Sequence, residues 1–320
     1  MFLLRSPDFW YRDPGLLQRI LLKPVCSVYR YFLNKNYKSA YFGLPTEGHK
    51  IIAVGGLTLG GAGKTVVVQS ICDILKNEGR TVAVLSRGYG RKLKEVAQVD
   101  VKTHSFLEVG DEPLILAERF PVFVGENRLE TSQLARDFEY QILDDGVTQR
   151  WLKPHKKIIV ISTSQGMGNG ELFPLGPNRL DLSTIKDDID AFFIGHDGDV
   201  SDKIDFSKLP QEIPVFHGNI EHDFSGISGR LIAFCGLGYP QKFFKSFSNF
   251  EVAKTYTFPD HYPYEDSDIE KMLTEAFRLG AQLITTRKDL MRIPEKYRSQ
   301  IKTLNISLKW QNSIKDFLLD

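Results

Sequence analysis

Between residues 51 and 77 the chain carries its most chemically suggestive spacing. Ile51-Ile52-Ala53-Val54 is a short apolar run of the kind that forms a buried strand. It leads into Gly55-Gly56-Leu57-Thr58-Leu59-Gly60-Gly61-Ala62-Gly63-Lys64-Thr65. Lys64 to about Asn77 then repeats apolar residues on one helical face (Val67, Val68, Ile71, Leu75) and stops near Gly79. Strand, glycine-rich loop, Gly-Lys-Thr and helix is the order that cradles phosphates. Loop amides around Gly60, Gly61, Ala62 and Gly63 wrap the oxygens, Lys64 reaches the outer phosphates, and the Thr65 hydroxyl binds Mg²⁺. The strict pattern asks for glycine where Thr58 stands, and the neighbouring glycines supply the missing backbone freedom.

Phosphate chemistry with Mg²⁺ needs carboxylates, and phosphorylation of a hydroxyl needs a group to take its proton. Gly110-Asp111-Glu112-Pro113 places two acids just before a helical pattern, and Ile142-Leu143-Asp144-Asp145-Gly146 places two at an expected strand end, as a metal-binding aspartate requires. Of seven histidines, His261 lies in an aromatic, proline-stiffened loop, Phe258-Pro259-Asp260-His261-Tyr262-Pro263-Tyr264; His49, His104 and His155 have no partner at useful spacing. After that loop, Ser267 and Glu270 read as a capping box. Ile269, Met272, Leu273 and Phe277 read as the buried face of a helix stopped by Gly280. Two weaker signals are set aside. Gly236-Leu237-Gly238 lacks its final glycine, with Pro240 and Gln241 in the way, and Asp197 to Asp202 lacks the turn glycine of a calcium loop, with Lys208 where a glutamate belongs.

The elements that must position these groups alternate. Strands at Thr81–Leu85, Ile158–Ile161, Ala191–Ile194, Leu231–Phe234 and Leu283–Thr285 are separated by helical stretches. This predicts an α/β fold, a layered P-loop core over 41–225 with largely parallel strands and a smaller α/β unit over 226–320. Residues 1–40 form a third part. Leu17, Ile20, Leu21, Val25, Val28 and Phe32 line one face of an amphipathic helix whose other face carries Arg19, Lys23 and Arg30, with Pro24 expected to kink or split it. Such a helix packs on its own domain or lies in an anionic membrane surface.

Composition bounds these readings. The 320 residues carry 41 Lys+Arg and 40 Asp+Glu, a net charge of +1, which gives no global field for nucleic acid. Residues 1–40 alone hold seven basic side chains against Asp8 and Asp13, a local +5 against −4 for the rest. Cys26, Cys72 and Cys235 are too few and scattered for a disulfide framework and read as buried thiols in a reducing compartment. No stretch reaches the roughly 18 apolar residues of a spanning helix, and no secretion signal is evident.

Taken in order, Phe9-Trp10, the loop Gly56 to Thr65, Ser86-Arg87-Gly88-Tyr89-Gly90-Arg91, Gly110-Asp111-Glu112-Pro113, Asp144-Asp145-Gly146, Gly168-Asn169-Gly170 through Pro174, Gly176, Pro177 and Arg179, Phe234-Cys235-Gly236, Phe258-Pro259-Asp260-His261 and Thr285-Thr286-Arg287-Lys288-Asp289 resemble the tetraacyldisaccharide 4′-kinases along nearly the whole chain. The resemblance implies transfer of the ATP γ-phosphate to the 4′-hydroxyl of an acylated glucosamine disaccharide 1-phosphate. The setting is lipid A biosynthesis, at the cytoplasmic face of a Gram-negative inner membrane.

It further implies that Lys64 and Thr65 hold phosphates and Mg²⁺, that Glu112 and Asp144 or Asp145 complete the metal site, and that Asp111 and His261 activate the sugar hydroxyl. Ser86, Arg87, Tyr89 and Arg179 would face the disaccharide and its phosphate. With Asp111 in the first unit and His261 in the second, closure of the units is expected to accompany turnover. A monomer is expected. The chain departs from the family pattern at Val147-Thr148-Gln149, at Asn178 and at Leu180, all in motifs that touch the glycolipid in the family. The competing reading is a nucleotide-dependent membrane-binding switch, which would have no use for His261 or the Ser86–Arg91 motif.

Overall fold

A computed structural model describes residues 7–44, 48–197 and 209–320. Arg5 of the basic segment and the rejected calcium-like loop beyond Asp197 lie outside the described residues. The chain divides into two compact units. The larger contains residues 7–220 and 308–320, and the smaller contains residues 221–307. The C-terminal residues 308–320 thus cluster with the P-loop unit.

Eight strands build the larger unit's sheet: β1 (Lys50–Gly56), β2 (Val82–Ser86), β3 (Ala97–Gln98), β4 (Val122–Val124), β5 (Tyr140–Asp144), β6 (Lys156–Ser162), β7 (Ala191–His196) and β8 (Val215–Asp223), the last passing into the smaller unit at its end. Their order is β8-β7-β6-β1-β5-β2-β4-β3, and every pairing is parallel except β3 with β4. Strands buried on both faces explain the continuous apolar runs seen in sequence. Alternate residues of β1, Ile51 and Ala53, pack with Ala83, Leu85 and Phe123 on one side of the sheet, while Ile159 and Ile161 of β6 pack with Leu57, Val147 and Phe192 in a second cluster.

The helix α1 (Leu16–Lys38) runs unbroken through Pro24, contrary to the expected split. Pro24 is exposed, and Leu22, Cys26, Tyr29 and Leu33 on both sides of it pack against the body, which holds the two halves in line. The face that docks is therefore not the one that periodicity selected. Leu17, Ile20, Leu21, Val25, Val28 and Phe32 are all exposed, from 51% to 66%. Polar anchors fix this orientation: the Tyr29 hydroxyl donates to the Arg179 carbonyl at 2.9 Å, and Asn36 Nδ2 donates to the Thr148 carbonyl at 2.9 Å.

In the smaller unit, β9 (Arg230–Cys235), β10 (Glu251–Thr257), β11 (Ala281–Thr286) and β12 (Lys302–Trp310, ending in the larger unit) are ordered β10-β9-β11-β12 with parallel pairings. The helix Asp266–Leu279 ends at Gly280 in a left-handed conformation, as expected, but its capping box is Glu265 with Asp268 rather than Ser267 with Glu270. Ile269, Met272 and Ala276 are buried, whereas Phe277 is 91% exposed. Starting the helix two residues earlier does not move its faces; Phe277 simply lies beyond the buried stripe. All three cysteines are free and buried.

Candidate active site

The register of β1 against β5 sets the site. Val54 pairs with Asp144, so the acidic strand end stands beside the point where the chain leaves β1 for the glycine-rich loop. Gly55 permits this approach, because a Cβ there would lie 1.9 Å from the Val147 side chain. Gly60 and Gly63 take positive φ of 98° and 82°, and space opens around the Cβ positions of Gly61 and Gly63, as a phosphate cradle needs. Gly63 caps the helix α2 (Lys64–Asn77), whose first residues are Lys64 and Thr65. Val67, Val68, Ile71 and Leu75 are all buried, holding that N-terminus in place.

Thr58 fits because the loop does not turn there. Thr58 bridges Asn178 in antiparallel fashion, Leu59 N–H donates to the Pro177 carbonyl at 2.8 Å, and Arg179 N–H donates to the Leu57 carbonyl at 2.9 Å. An extended segment suits a β-branched residue, and glycine is not required. The same pairing delivers Arg179, whose guanidinium donates to Asp145 Oδ2 at 2.8 Å. Ser86, at the end of β2, is buried and donates to Asp144 Oδ2 at 3.4 Å. Two residues assigned from sequence to the glycolipid thus rest on the aspartates. Arg87 pairs with Glu126 at 2.9 Å, and Tyr89 is 61% exposed.

Asp144 and Asp145 differ in their electrostatics. Burial first, then the neighbouring Glu112 and Asp145 charges, pushes Asp144 up to about 7 against the pull of Lys64 and Arg128. Burial also pushes Asp145 upward, but Lys64 and the bonded Arg179 outweigh it and hold that carboxyl below its ordinary value. Arg128 escaped sequence reasoning. It is buried to 3% exposure and donates to the carbonyls of Gly125 at 2.8 Å and Asp144 at 3.3 Å. Nothing in its local pattern marks it, because its role depends on β5 passing beneath.

The donor set fits Mg²⁺. Oδ1 of Asp144 and Oδ1 of Asp145 are buried and accept no hydrogen bond among the described residues, and such oxygens are costly unless something binds them. Mg²⁺ takes one or two carboxylates and completes its shell with phosphate oxygens and water.

Asp111 opens the helix Asp111–Ala117; it is buried at 4% exposure, and its Oδ1 accepts the Glu112 amide at 2.8 Å. Gly88 and Gly110 pack backbone to backbone: a Cβ on Gly110 would lie 3.3 Å from Gly88 Cα. The Ser86–Arg91 loop therefore abuts the helix start that carries Asp111 and Glu112. His261 belongs to the smaller unit; its φ is 58°, and its Nε2 lies 3.9 Å from Asp260 Oδ1. The departures at Val147 and Leu180 are buried to 1% and 2% and belong to the apolar cluster beneath α1. Their apolar character is explained by packing.

A profile of the tetraacyldisaccharide-1-P 4'-kinase family, LpxK, matches residues 18–320. The chain belongs to this family. The tetraacyldisaccharide 4'-kinase of Rhodopseudomonas palustris strain BisB5 is 36% identical over 298 residues, 91% of this chain and 87% of that protein. That of a Methylorubrum extorquens strain is 32% identical over 318 residues, 98% of this chain and 96% of its own length. The crystal structure of LpxK from Aquifex aeolicus in complex with ATP superposes with a TM-score of 0.74 at 26% identity, covering 95% of this chain and 98% of that one.

Proposed function

We propose that the chain transfers the γ-phosphate of ATP to the 4′-hydroxyl of a tetraacylated glucosamine disaccharide 1-phosphate. The observation that carries this reading is the Val54–Asp144 register within a family match spanning 18–320, with the Lys64 charge acting on two aspartates whose buried oxygens are unbonded. Lys64 would hold the outer phosphates of ATP. Thr65, Asp144 and Glu112 would hold Mg²⁺, with Asp145 as a catalytic carboxylate; the ion would neutralise the phosphate charge. Asp111 would help to activate the acceptor hydroxyl, and His261 would receive its proton. Arg87 and Tyr89 would face the disaccharide. Arg179, held on Asp145, is shared between the phosphate acceptor and the acidic pair.

The acceptor is a membrane lipid, and α1 supports contact with an anionic bilayer at the cytoplasmic face. Its six apolar side chains are exposed on the surface of the body, and Lys23 on its basic face is exposed as well. Among the described residues no helix is long and apolar enough to cross a membrane. The family relatives favour this kinase over a nucleotide-dependent membrane switch without acceptor. Incubation with γ-labelled ATP and the tetraacylated disaccharide should place label in the lipid, and Asp111→Ala or His261→Ala should lower that transfer about 10²- to 10⁴-fold. ATP hydrolysis with no labelled lipid would overturn the reading.

A further inference from the structure

Two motifs to which the chemistry above gives no role, Phe234-Cys235-Gly236 and Thr285 to Asp289, converge within the smaller unit on one carboxylate. Asp289 is wholly buried, in the first turn of the helix Arg287–Arg292. Its Oδ1 accepts the Gly236 amide at 2.8 Å and the Tyr264 hydroxyl at 2.7 Å, and the Arg292 guanidinium lies 3.2 Å from the same oxygen. Its Oδ2 accepts the Thr286 hydroxyl at 2.5 Å, and Thr286 Oγ1 in turn caps the helix by accepting the Asp289 amide at 3.1 Å. Arg292 also donates to the Gly236 carbonyl at 3.3 Å. A buried charge compensated so completely is tolerated, and removing one partner exposes its desolvation cost.

Helix capping and the Arg292 pair account for only part of this set. The remaining bonds reach the two ends of the loop 258–264. At its entry, Phe258 N–H donates to the Cys235 carbonyl at 2.9 Å, and the Pro259 carbonyl lies so near Gly236 that a Cβ there would stand 2.7 Å from it. At its exit, Tyr264 is buried and anchored on Asp289; burial and that adjacent carboxylate push the phenol well above its ordinary ionisation, so it remains a donor. Tyr264 packs against Phe234 with ring centroids 5.4 Å apart and against Phe258 at 4.9 Å. Between these fixed ends, Tyr262 N–H closes a turn on the Pro259 carbonyl at 3.2 Å, and His261 is held at its positive φ of 58°. A non-glycine residue persists in that conformation where its surroundings impose it.

We propose that Asp289 is a positioning residue for phosphoryl transfer, clamping both ends of the loop that presents the His261 imidazole through Gly236 and Tyr264. This rests on the assignment of the sugar hydroxyl proton to His261 made above. Asp289 does not touch substrate; it acts through the loop.

The test uses the full-length enzyme with ATP and the lipid acceptor, and Tyr264→Phe, Gly236→Ala, Asp289→Asn and His261→Ala. Tyr264→Phe deletes one hydroxyl and leaves the buried ion pair intact, so it decides the matter even where Asp289→Asn fails to fold. Tyr264→Phe should lower kcat about 10- to 100-fold while the KM for ATP stays within about twofold, the effect expected when a catalytic group is misplaced by a fraction of an ångström or more. The His261 imidazole resonances, assigned by their loss in His261→Ala, should shift. In the His261→Ala background Tyr264→Phe should cost nothing further.

A folded Tyr264→Phe enzyme with kcat within about twofold of the parent, or an equal loss with and without His261, overturns the positioning role. His261→Ala retaining full kcat while Tyr264→Phe still moves the loop resonances identifies the His261 assignment as the part that failed, and the role of Asp289 in the reaction falls with it.

Discussion

Asp144 and Asp145 are sequence neighbours in opposite electrostatic situations. Asp144 ends a strand in the core, and Asp145 turns outward at a φ of 53° toward Lys64 and Arg179. A lysine that faces both carboxylates and the phosphate cradle carries charge that matters most as phosphate moves. Lys64→Ala should lower kcat about 100- to 1,000-fold, measured as label transferred to the lipid, as for loss of one preorganised charge-stabilising donor; a change within a few-fold would remove Lys64 from the chemistry.

His155 illustrates a different consequence of its place in the fold. The residue is exposed, yet its Nδ1 accepts the Ile51 amide at 2.9 Å, so the neutral ring is built into the fold, and partial desolvation, then Lys50 and Lys153, lower its pKa from 6.5. Because the unfolded chain takes up this proton first, the contribution is present above about 6.5 and declines as pH falls below it. Denaturation midpoints should drop between pH 7 and pH 5, and the drop should shrink in His155→Asn, whose amide oxygen can still accept; an equal drop in both proteins would refute the assignment.

At the scale of elements, α1 has one face packed on the body and another exposed. Leu33 lies in the apolar cluster with Val147 and Leu180, and truncating it leaves a cavity. Leu33→Ala should cost about 2–4 kcal/mol of stability in urea titration. Ile20→Glu with Val28→Glu changes only exposed positions. It should leave stability and ATP binding unaltered while abolishing sedimentation with anionic vesicles, since two charges on the apolar face oppose insertion. Vesicle binding that survived the double substitution would show that this face does not meet the lipid. The anchoring of α1 on the carbonyls of Thr148 and Arg179 also joins the helix to the segment that carries Arg179 to Asp145, so the placement of α1 and the geometry beside the glycine-rich loop share their supports.

Across the whole molecule, a net charge of +1 conceals a basic first segment and an acidic remainder. Deleting residues 1–35 should therefore weaken attraction to anionic vesicles, and more steeply at low salt, where the Debye length is longer. Nucleotide acts elsewhere. The phosphate cradle belongs to the larger unit, so ATP with Mg²⁺ should stabilise that unit by about 2.7 kcal/mol at 100 times its Kd and raise hydrogen-exchange protection in β1 and α2. The Lys64→Ala protein should show little of this gain, and protection arising equally in β9 and β10 would contradict it.

The readings that held from sequence were local ones. The strand, glycine loop and α2 occupy a contiguous run whose periodicity, glycine content and Gly-Lys-Thr chemistry are properties of neighbouring residues, and the parallel α/β class follows from alternating elements. Gly280 likewise ended its helix as its backbone freedom requires. Other features depended on pairing between distant segments. Thr58 is tolerated because residues 177–179 lie against the loop, Ser86 meets Asp144 through strand register, Arg179 meets Asp145 through that same loop pairing, and Arg128 is buried against the Asp144 carbonyl without any local signature. The face of α1 that packs was also undecidable from its own pattern, since both faces carry apolar residues and only the body at Thr148, Arg179 and Leu172 selects between them. Local propensity and chemistry are written along the chain, whereas partner choice is a property of the packed whole.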